Sequence, residues 1–326
     1  MSTEIGGARV AVMGAGAVGS YFGGMLARGG ARVTFIARRQ HAEAIRAGGL
    51  FMDTVTFQER VPVECATDPS GVKNAEIVLF SVKTLDTEDA ARAIAPHLAP
   101  GAIVVSLQNG VDNVPRIRAA SGIDAIPAVV YVAAAMPEPG RVKHSGRGEL
   151  IIGELPASAH AGESHSNRTQ RVAALFASAG VPCKVSENIE GDLWSKMVMN
   201  CAGNPVTAIA QTSYGHAARN PETRELMRKV IEESVAVARA SGVRLPEVDL
   251  AEAGLKLAET LGNATSSTAQ DLARGKRTEI DSLNGYIVRR GAELGIATPV
   301  NFALHALVKM IEQGAERRGK PAGSAS

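Results

Sequence analysis

The feature that most constrains the fold is an apolar run near the N-terminus that ends in glycines. Residues 9–19 read RVAVMGAGAVG, so Gly14, Gly16 and Gly19 complete the pattern G-x-G-x-x-G. The first glycine permits a tight turn out of a strand, the second lets a pyrophosphate approach the backbone, and the third lets the next helix pack against the sheet. The N–H groups at the start of that helix favour phosphate. The pattern therefore predicts a dinucleotide-binding unit, and a glycine-rich turn without a ligand is the alternative.

The end of the next predicted strand indicates which dinucleotide is bound. Arg38 and Arg39 follow the strand-like run RVTFIA at 32–37, and the first carboxylate after it is Glu43. A fold that prefers NAD usually carries Asp or Glu there for the ribose 2′-hydroxyl, whereas a guanidinium pairs with the 2′-phosphate of NADP. We therefore predict NADP(H) as the cofactor, with Arg38 as the main contact. The alternative is that both arginines are solvated residues at a strand end.

The first half of the chain alternates strand and helix patterns. Such alternation predicts a Rossmann-type, doubly wound parallel sheet of the α/β class. Strands are predicted at 9–13, 32–37, 76–82, 102–107, 128–133, 150–153 and 182–185, and helices at 18–28, 84–97, 113–120 and 168–179. A turn is predicted at 137–140 and a surface loop at 156–167. Ligands of such sheets bind at the carboxyl ends of the strands.

From residue 188 onward, helical periodicity replaces the strand patterns. Six helices are predicted, at 189–202, 222–241, 248–261, 268–274, 280–293 and 301–313. We therefore predict an NADP-binding domain at 1–188, a second, all-α domain at 189–318 for substrate and dimer contacts, and a disordered tail at 319–326. The substrate is expected between the strand ends and the helical domain.

Length and charge exclude several classes of protein. The chain has 326 residues, enough for two domains, and a net charge of +2, which gives no reason to expect nucleic acid or an anionic membrane as partner. We find no run of about 18 apolar residues and no signal peptide. The three cysteines lack C-x-x-C spacing and suit a reducing compartment, and no metal site is predicted. We expect a cytoplasmic protein that binds a small molecule, with a homodimer left open.

One helical stretch of the second half carries a polar ladder. Lys196, Asn200 and Asn204 are spaced four residues apart, so they lie on one face of a helix. Because asparagine is a weak helix former, such a row beside an apolar stripe favours a ligand-binding face. Pro205 is expected to end this helix directly after Asn204. The alternative is a solvated face on which the lysine extends into water.

Four further candidates stand at the ends of predicted elements. Lys83 and Asn109 follow predicted strands at the edge where ligands bind, although an Asn-Gly pair also suits an ordinary turn. Ser267 with Gln270 fits a capping box at a helix start. Glu279 also stands at a predicted helix start, where a carboxylate favours the helix dipole. On physical grounds alone, neither Ser267 nor Glu279 would be singled out.

Together these segments resemble the ketopantoate reductase family, the 2-dehydropantoate 2-reductases. The run KMVMNCAGNPVTA at 196–208 resembles the family pattern K-x-x-x-N-x-x-x-N-P-[LV]-T-A. The runs SSTAQD at 266–271 and TEID at 278–281 match S-S-M-x-x-D…T-E-I-D, except that Thr268 replaces methionine. The resemblance covers nearly the whole chain and includes the glycine motif and Arg38.

The resemblance implies a role for each candidate residue. Lys196 would be the general acid, and Glu279 would contact the substrate hydroxyl or the nicotinamide side. The substrate would be bound by Asn109, Lys196, Asn200, Asn204 and Ser267. The cofactor would contact Gly14, Ala15, Gly16, Ala17, Val18, Gly19, Arg38, Lys83, Asn109, Ala134 and Glu279.

The reaction implied by the resemblance is the NADPH-dependent reduction of 2-dehydropantoate to (R)-pantoate, a step of pantothenate biosynthesis. Tyr214 stands where some family members carry an asparagine near the substrate, and Thr268 departs from the pattern. Another branched or aromatic 2-oxo acid is therefore an alternative substrate. A non-catalytic NADP(H)-binding regulator on the same fold is a further alternative, and it would have no need of a general acid such as Lys196.

Overall fold

The computed structural model of the protein describes residues 7–158 and 166–319, with 315–319 described by their backbone only. The chain divides into two compact units, with the boundary between Asp192 and Leu193. The strands of the described residues all lie in the first unit, and the second unit is helical. The boundary between the units lies inside a helix that begins at Ile189, close to the residue at which the domain division is predicted.

The strands of the first unit form one sheet. They are β1 (Arg9–Met13), β2 (Arg32–Ile36), β3 (Leu50–Asp53), β4 (Gln58–Val61), β5 (Glu64–Ala66), β6 (Ile77–Phe80), β7 (Ile103–Ser106), β8 (Ile126–Glu138), β9 (Arg141–Ile152) and β10 (Cys183–Val185). Their order is β4-β3-β9-β8-β7-β6-β1-β2-β5, and β10 pairs with β9. Six neighbouring strands, from β8 through β1 to β5, pair in parallel. This confirms the predicted Rossmann-type sheet, in which the chain order reverses between β1 and β6.

The central strands are buried because helices cover both faces of the sheet. All four residues of β6 and all four of β7 are buried, so these strands read as continuous apolar runs. The helices of this unit are α1 (Ala17–Arg28), α2 (Arg39–Gly48), α3 (Thr87–Ile94), α4 (Asn113–Ser121) and α5 (Asn167–Ser178). The core between α1, α5 and one sheet face contains Phe22, Phe176 and Leu79.

Several elements of the first unit have weak sequence patterns and were not predicted. Helix α2 buries only His41, Ala42 and Ile45, which makes its apolar stripe narrow. Strands β3 to β5 are short, and β4 and β5 are mostly exposed or half-buried, so they show no apolar run. The predicted strands at 128–133 and 150–153 are parts of the longer β8 and β9, which pair antiparallel around the predicted turn.

The described part of the second unit, up to Gly319, contains the rest of helix α6 (Ile189–Ile209) and six further α-helices. These are α7 (Tyr214–Arg219), α8 (Pro221–Ala240), α9 (Leu250–Leu261), α10 (Ser267–Ala273), α11 (Asn284–Leu294) and α12 (Pro299–Gly319). Helix α7 was not predicted. The helix predicted at 280–293 is a 3₁₀ turn (Ile280–Ser282) followed by α11.

The prediction that Pro205 ends its helix is wrong, since α6 continues through it to Ile209. A proline cannot donate a hydrogen bond to the carbonyl four residues earlier, which is that of Cys201. The side-chain amide of Asn284 donates to this carbonyl instead, at 3.0 Å, and Asn284 is fully buried. A donor from another helix therefore replaces the missing backbone N–H, which allows the helix to pass the proline.

Two sequence predictions fall partly outside the described residues. Residues 159–165 of the predicted surface loop lie outside them, and Ser158 and Ser166 on either side both donate to the Glu154 carboxylate, at 3.0 and 2.7 Å. Of the tail predicted at 319–326, residues 320–326 lie outside the described part. Gly319 belongs to α12.

Candidate active site

The glycine turn after β1 combines two glycines fixed by packing with one that borders open space. Gly14 has φ +98°, and a Cβ there would lie 2.7 Å from the backbone nitrogen of Val82. A Cβ on Gly19 would overlap the hydroxyl of Ser81 and the carbonyl of Gly14. A Cβ on Gly16 would meet no atom within 4 Å. The packing of the chain therefore requires glycine at positions 14 and 19. At Gly16 the open space is available to a bound ligand.

The N-terminus of α1 has the properties of an anion site. Gly16 is its N-cap and has no side chain to cap the first N–H groups, and the first turn contains no acidic residue. The N–H groups of Ala17, Val18 and Gly19 open this helix, whereas the N–H of Ala15 is directed at the carbonyl of Ile36, at 3.4 Å. With the open space at Gly16, this arrangement fits a pyrophosphate.

Arg38 and Arg39 lie at the carboxyl end of β2, as predicted. Both are exposed, and Arg38 is the N-cap of α2, which has no acidic residue in its first turn. Among the described residues, no carboxylate forms an ion pair with either guanidinium. Two cationic side chains next to a second uncapped helix N-terminus form a positive patch that fits a phosphate monoester.

Lys83 and Asn109 lie at the carboxyl ends of β6 and β7, and a buried amide joins the two loops. Gln108 donates to the carbonyl of Val82 at 3.1 Å and to the hydroxyl of Thr87 at 2.7 Å. Asn113 donates to the carbonyl of Asn109 at 2.6 Å. Gln108, which the prediction placed only in a turn, therefore holds together the loops that carry both candidates. Its burial could not be read from a polar Gln-Asn-Gly sequence.

Ala134 lies on β8 in the irregular part of the β8–β9 pair. It is half-buried and stands opposite His144, directly after a shift in register. Arg147 stands opposite Val132 in the same irregular stretch and has φ +57°, between Gly146 and Gly148. Its guanidinium lies 4.0 Å from the centre of the Tyr131 ring. Bulges of this kind are frequent next to functional sites. The sequence offered no physical signal for Ala134.

Lys196, Asn200 and Asn204 lie on one face of α6, as the spacing predicts. Lys196 and Asn200 are half-buried, whereas Asn204 is only 3% exposed. The side-chain oxygen of Asn204 accepts a hydrogen bond from the Tyr214 hydroxyl at 2.7 Å, and burial raises the pKa of that hydroxyl, so it remains a donor. The amide of Asn204 is therefore held in one orientation by Tyr214. From the sequence, Tyr214 stands out only as a departure from the family, some members of which carry an asparagine there.

The serine that contacts the ladder is Ser266 rather than Ser267. Ser266 is the N-cap of α10 and accepts from the N–H of Ala269, and its hydroxyl also donates to the carbonyl of Asn204 at 3.2 Å. The predicted capping box at Ser267 is therefore wrong by one residue, because the helix begins at Ser267 itself. Ser267 is exposed in the first turn of α10.

Glu279 precedes the 3₁₀ turn at Ile280–Ser282, not an α-helix as predicted. It is half-buried, and its carbonyl accepts from the N–H groups of Ser282 and Leu283, at 2.9 and 3.1 Å. The second unit thus contains Lys196, Asn200, Asn204, Ser267 and Glu279, and the first unit contains the other cofactor candidates.

Other kinds of site receive no support from the described residues. They contain no group of three or more His, Cys, Asp or Glu side chains that could hold a metal ion. None of the helices in 7–158 and 166–319 combines the length and apolarity needed to cross a bilayer. Burial raises the pKa of the Cys201 thiol and raises that of Cys183 to about 12, so these thiols are poor nucleophiles.

The first unit has a parallel sheet whose chain order reverses beside β1, and a glycine turn that leaves space for phosphate. Together with a helical second unit, these features are typical of a class of dinucleotide-dependent oxidoreductases. Residues 10–157 match the family described as ketopantoate reductase PanE/ApbA, and residues 188–312 match its C-terminal domain. The chain belongs to this ketopantoate reductase family. The membership confirms the resemblance stated from the motifs.

Relatives match the chain over nearly its whole length. It is 36% identical over 306 residues to the 2-dehydropantoate 2-reductase of Archaeoglobus fulgidus, covering 94% of this chain and 98% of that protein. A solved structure of a PanE/ApbA family ketopantoate reductase from Ralstonia eutropha is 51% identical, with a TM-score of 0.87 and coverage of 94% and 99%. A dimeric ketopantoate reductase from Staphylococcus aureus shares the fold at 20% identity, with a TM-score of 0.74 and coverage of 94% and 99%.

Proposed function

We propose that the protein catalyses the NADPH-dependent reduction of 2-dehydropantoate to (R)-pantoate. The observation that carries this proposal is the end-to-end match to 2-dehydropantoate 2-reductases, at 36% identity over 94% of the chain. The polar residues of the family patterns also support it, because they are present in both units of the chain.

The proposed cofactor site uses the glycine turn and Arg38. The N–H groups of α1 bind the pyrophosphate, and Gly16 lets it approach the backbone. Arg38 pairs with the 2′-phosphate, which favours NADPH over NADH. Lys83, Asn109 and Ala134, at the carboxyl edge of the sheet, contact the remainder of the cofactor, as does Glu279. NADPH, when bound, supplies the hydride for the reduction.

Lys196 is the proposed general acid. Addition of hydride to a ketone places negative charge on the carbonyl oxygen, which a nearby ammonium stabilises and then protonates. Lys196 is half-buried on the same helix face as two asparagines, so its ammonium is presented together with neutral hydrogen-bond donors. A regulator that only binds NADP(H) would not need this arrangement.

The asparagines of the ladder are proposed to bind the substrate's carboxylate and hydroxyl oxygens, with Asn109, Ser267 and Glu279. The Tyr214 hydroxyl occupies the side-chain oxygen of Asn204. That bond fixes which side of the amide carries the nitrogen, which is the atom proposed to bind the ligand and which can only donate. A donor of this kind suits an anionic 2-oxo acid.

A substrate panel tests the proposal. Steady-state rates would be measured with 2-dehydropantoate and with branched and aromatic 2-oxo acids, each with NADPH and with NADH. We expect the highest kcat/KM for 2-dehydropantoate with NADPH. A higher value for an aromatic 2-oxo acid would assign a different substrate on the same fold, and no turnover with any acid would favour the regulator.

We further propose that the protein forms a homodimer through one face of α12. Three large apolar side chains on this helix are exposed, namely Phe302 (58%), Leu307 (47%) and Met310 (69%), with Ala303 and Ala306 between them. A row of this kind on a helix surface is typical of an interface, and in a two-fold dimer the same face meets its copy. The dimeric relative from Staphylococcus aureus supports a second copy as the partner.

Substitution of one exposed residue tests this interface. Met310→Glu is expected to shift the protein to the monomer in sedimentation velocity, because a charge would be buried at the interface. Val248→Glu is the matched control. Val248 is likewise an exposed apolar residue of the second unit, at 58%, but it lies outside α12. A wild type that sediments as a monomer, or a Met310→Glu variant that remains dimeric, would contradict the proposal.

A further inference from the structure

The short segment that carries Glu279 is attached on both sides to one helix, α12. Thr278 precedes Glu279, and Asp281 follows it by two residues in the 3₁₀ turn. Both of these flanking side chains bond to α12, to Glu312 and Lys309 respectively. A glutamate between two anchored neighbours has little freedom to move its backbone.

The first attachment is a buried carboxylate. One side-chain oxygen of Glu312 accepts from both the N–H and the hydroxyl of Thr278, at 2.7 and 2.6 Å. Glu312 is 6% exposed and Thr278 is 3% exposed. Hydrogen bonds to a carboxylate are stronger than those between neutral groups, and burial protects them from competition with water.

The second attachment is an ion pair that shares a residue with the first. Lys309 pairs with Asp281 at 2.7 Å and with Glu312 at 3.1 Å, so it bridges the two anchors. His305 bonds to the other oxygen of Asp281 at 2.7 Å. A Cβ on Gly285 would lie 2.9 Å from His305, so this glycine makes room for the imidazole.

We infer that these five residues, Thr278, Asp281, His305, Lys309 and Glu312, form a clamp that positions Glu279 for the reaction. The inference rests on the proposed function, in which Glu279 contacts the reacting groups. The clamp residues are positioning residues that do not touch the substrate, and Glu312 acts through Glu279. Helix α12 then has two roles on two of its faces, since its exposed apolar row is separate from the clamp.

A double-mutant cycle distinguishes positioning from general stability. Glu312→Gln keeps the size of the side chain but turns an amide toward Lys309, and it should lower kcat about tenfold, because a small displacement of a group at the reacting centre slows the reaction. In a Glu279→Gln background the same change should alter kcat less than about twofold, because its effect passes through Glu279. Because Glu279 is also a proposed cofactor contact, any change in NADPH affinity caused by Glu312→Gln should likewise disappear in the Glu279→Gln background.

Glu233→Gln is the matched control. Glu233 also accepts backbone N–H groups from another element, those of Val300 and Asn301 at 2.9 Å, but it holds the other end of α12. It should lower the melting temperature and leave kcat within about twofold of the wild type. Thr278→Val, which exchanges the hydroxyl for a methyl group of similar size, replaces Glu312→Gln if that variant does not fold.

Hydrogen exchange gives a readout that does not depend on turnover. The Thr278 amide should exchange faster in Glu312→Gln than in the wild type and be unchanged in Glu233→Gln. An equal loss of kcat with and without the Glu279→Gln substitution, or a wild-type kcat in Glu312→Gln, would overturn the clamp while leaving the proposed function intact. A wild type that reduces no 2-oxo acid would overturn both, whatever the exchange at Thr278.

Discussion

At the scale of single residues, the three glycines of the N-terminal motif meet different requirements. Gly14 needs its positive φ, and Gly19 lies against Ser81 and the carbonyl of Gly14, so both are fixed by the fold. Gly16 has φ −78°, which any residue can adopt, and open space where a Cβ would be. The fold can therefore tolerate a larger residue at Gly16, and the constraint there must come from a ligand.

Gly16→Ala tests this separation. The methyl group would occupy the space that we assign to the pyrophosphate, so NADPH affinity should fall by more than about tenfold. The melting temperature should fall by only a few degrees, because alanine at an N-cap typically costs about 1 kcal/mol relative to the best caps. Gly48→Ala, at the end of α2, is the control for a methyl group in the same unit. Unchanged NADPH affinity in Gly16→Ala would remove the motif from cofactor binding.

Arg38→Ala tests the choice of cofactor. Loss of a charge-assisted hydrogen bond of about 1.5–3 kcal/mol should raise the KM for NADPH by roughly ten- to hundredfold. The KM for NADH should hardly change, since NADH has no 2′-phosphate. Arg39→Ala, also exposed but inside α2, should have a smaller effect. Equal use of both cofactors by the wild type would contradict the assignment.

At the scale of elements, α6 shows how a helix can pass a proline and carry a site. The fully buried Asn284 on α11 donates to the Cys201 carbonyl, which Pro205 leaves without its usual partner. Further along the helix, the Asn204 carbonyl accepts from Thr207 and Ser266, at 3.0 and 3.2 Å. Side chains from α6, α10 and α11 thus fix the end of the ladder that carries Asn204.

Asn284→Ala should lower the free energy of unfolding by about 1–3 kcal/mol, because it leaves a buried carbonyl unsatisfied. Urea denaturation would measure the loss. In a Pro205→Ala background the N–H of residue 205 can donate to Cys201, so the same substitution should cost less. An equal cost in both backgrounds would show that Asn284 stabilises the protein through other contacts, such as its bond to Asn301.

The sequence predicted those elements and residues whose signal is local. The glycine turn, the apolar β6 and β7 and the four-residue spacing of the ladder all follow from neighbours along the chain. Pro205 and Ser266 were misjudged because their partners, Asn284 and the Asn204 carbonyl, are 79 and 62 residues away. The roles of Ser267 and Glu279 came from family resemblance, since their local chemistry suits ordinary helix starts equally well.

At the scale of the whole molecule, carboxylates paired with cations hold separate segments together in each unit. In the first unit, Arg168 forms two hydrogen bonds with Glu154, whose side chain is 2% exposed. In the second unit, Asp281 is paired with Lys309. Burial alone would raise the pKa of Asp281, but hydrogen bonds from Lys309 and His305 outweigh it and hold the pKa below its ordinary value of 3.8.

This shift predicts acid sensitivity with a defined sign. A carboxyl group whose pKa is lower in the folded than in the unfolded chain adds stability that is fully present above the unfolded pKa and is lost as pH falls through the folded pKa. The free energy of unfolding should therefore decrease as pH falls below about 4. Lys309→Met should reduce this decrease, because it removes a cause of the lowered pKa. An identical pH dependence in wild type and variant, measured by urea denaturation, would contradict the assignment.

The central claim is that Lys196 protonates the substrate oxygen during reduction of a 2-oxo acid. Its most direct test is kcat with 2-dehydropantoate and saturating NADPH for wild type, Lys196→Ala, Lys196→Arg and the control Lys256→Ala, with NADPH affinity measured by fluorescence. Loss of a general acid should lower kcat of Lys196→Ala by about 10²–10⁴-fold at unchanged NADPH affinity. Lys196→Arg should recover little, because a guanidinium does not release its proton, and Lys256→Ala should match the wild type. A wild-type kcat in Lys196→Ala would contradict the account.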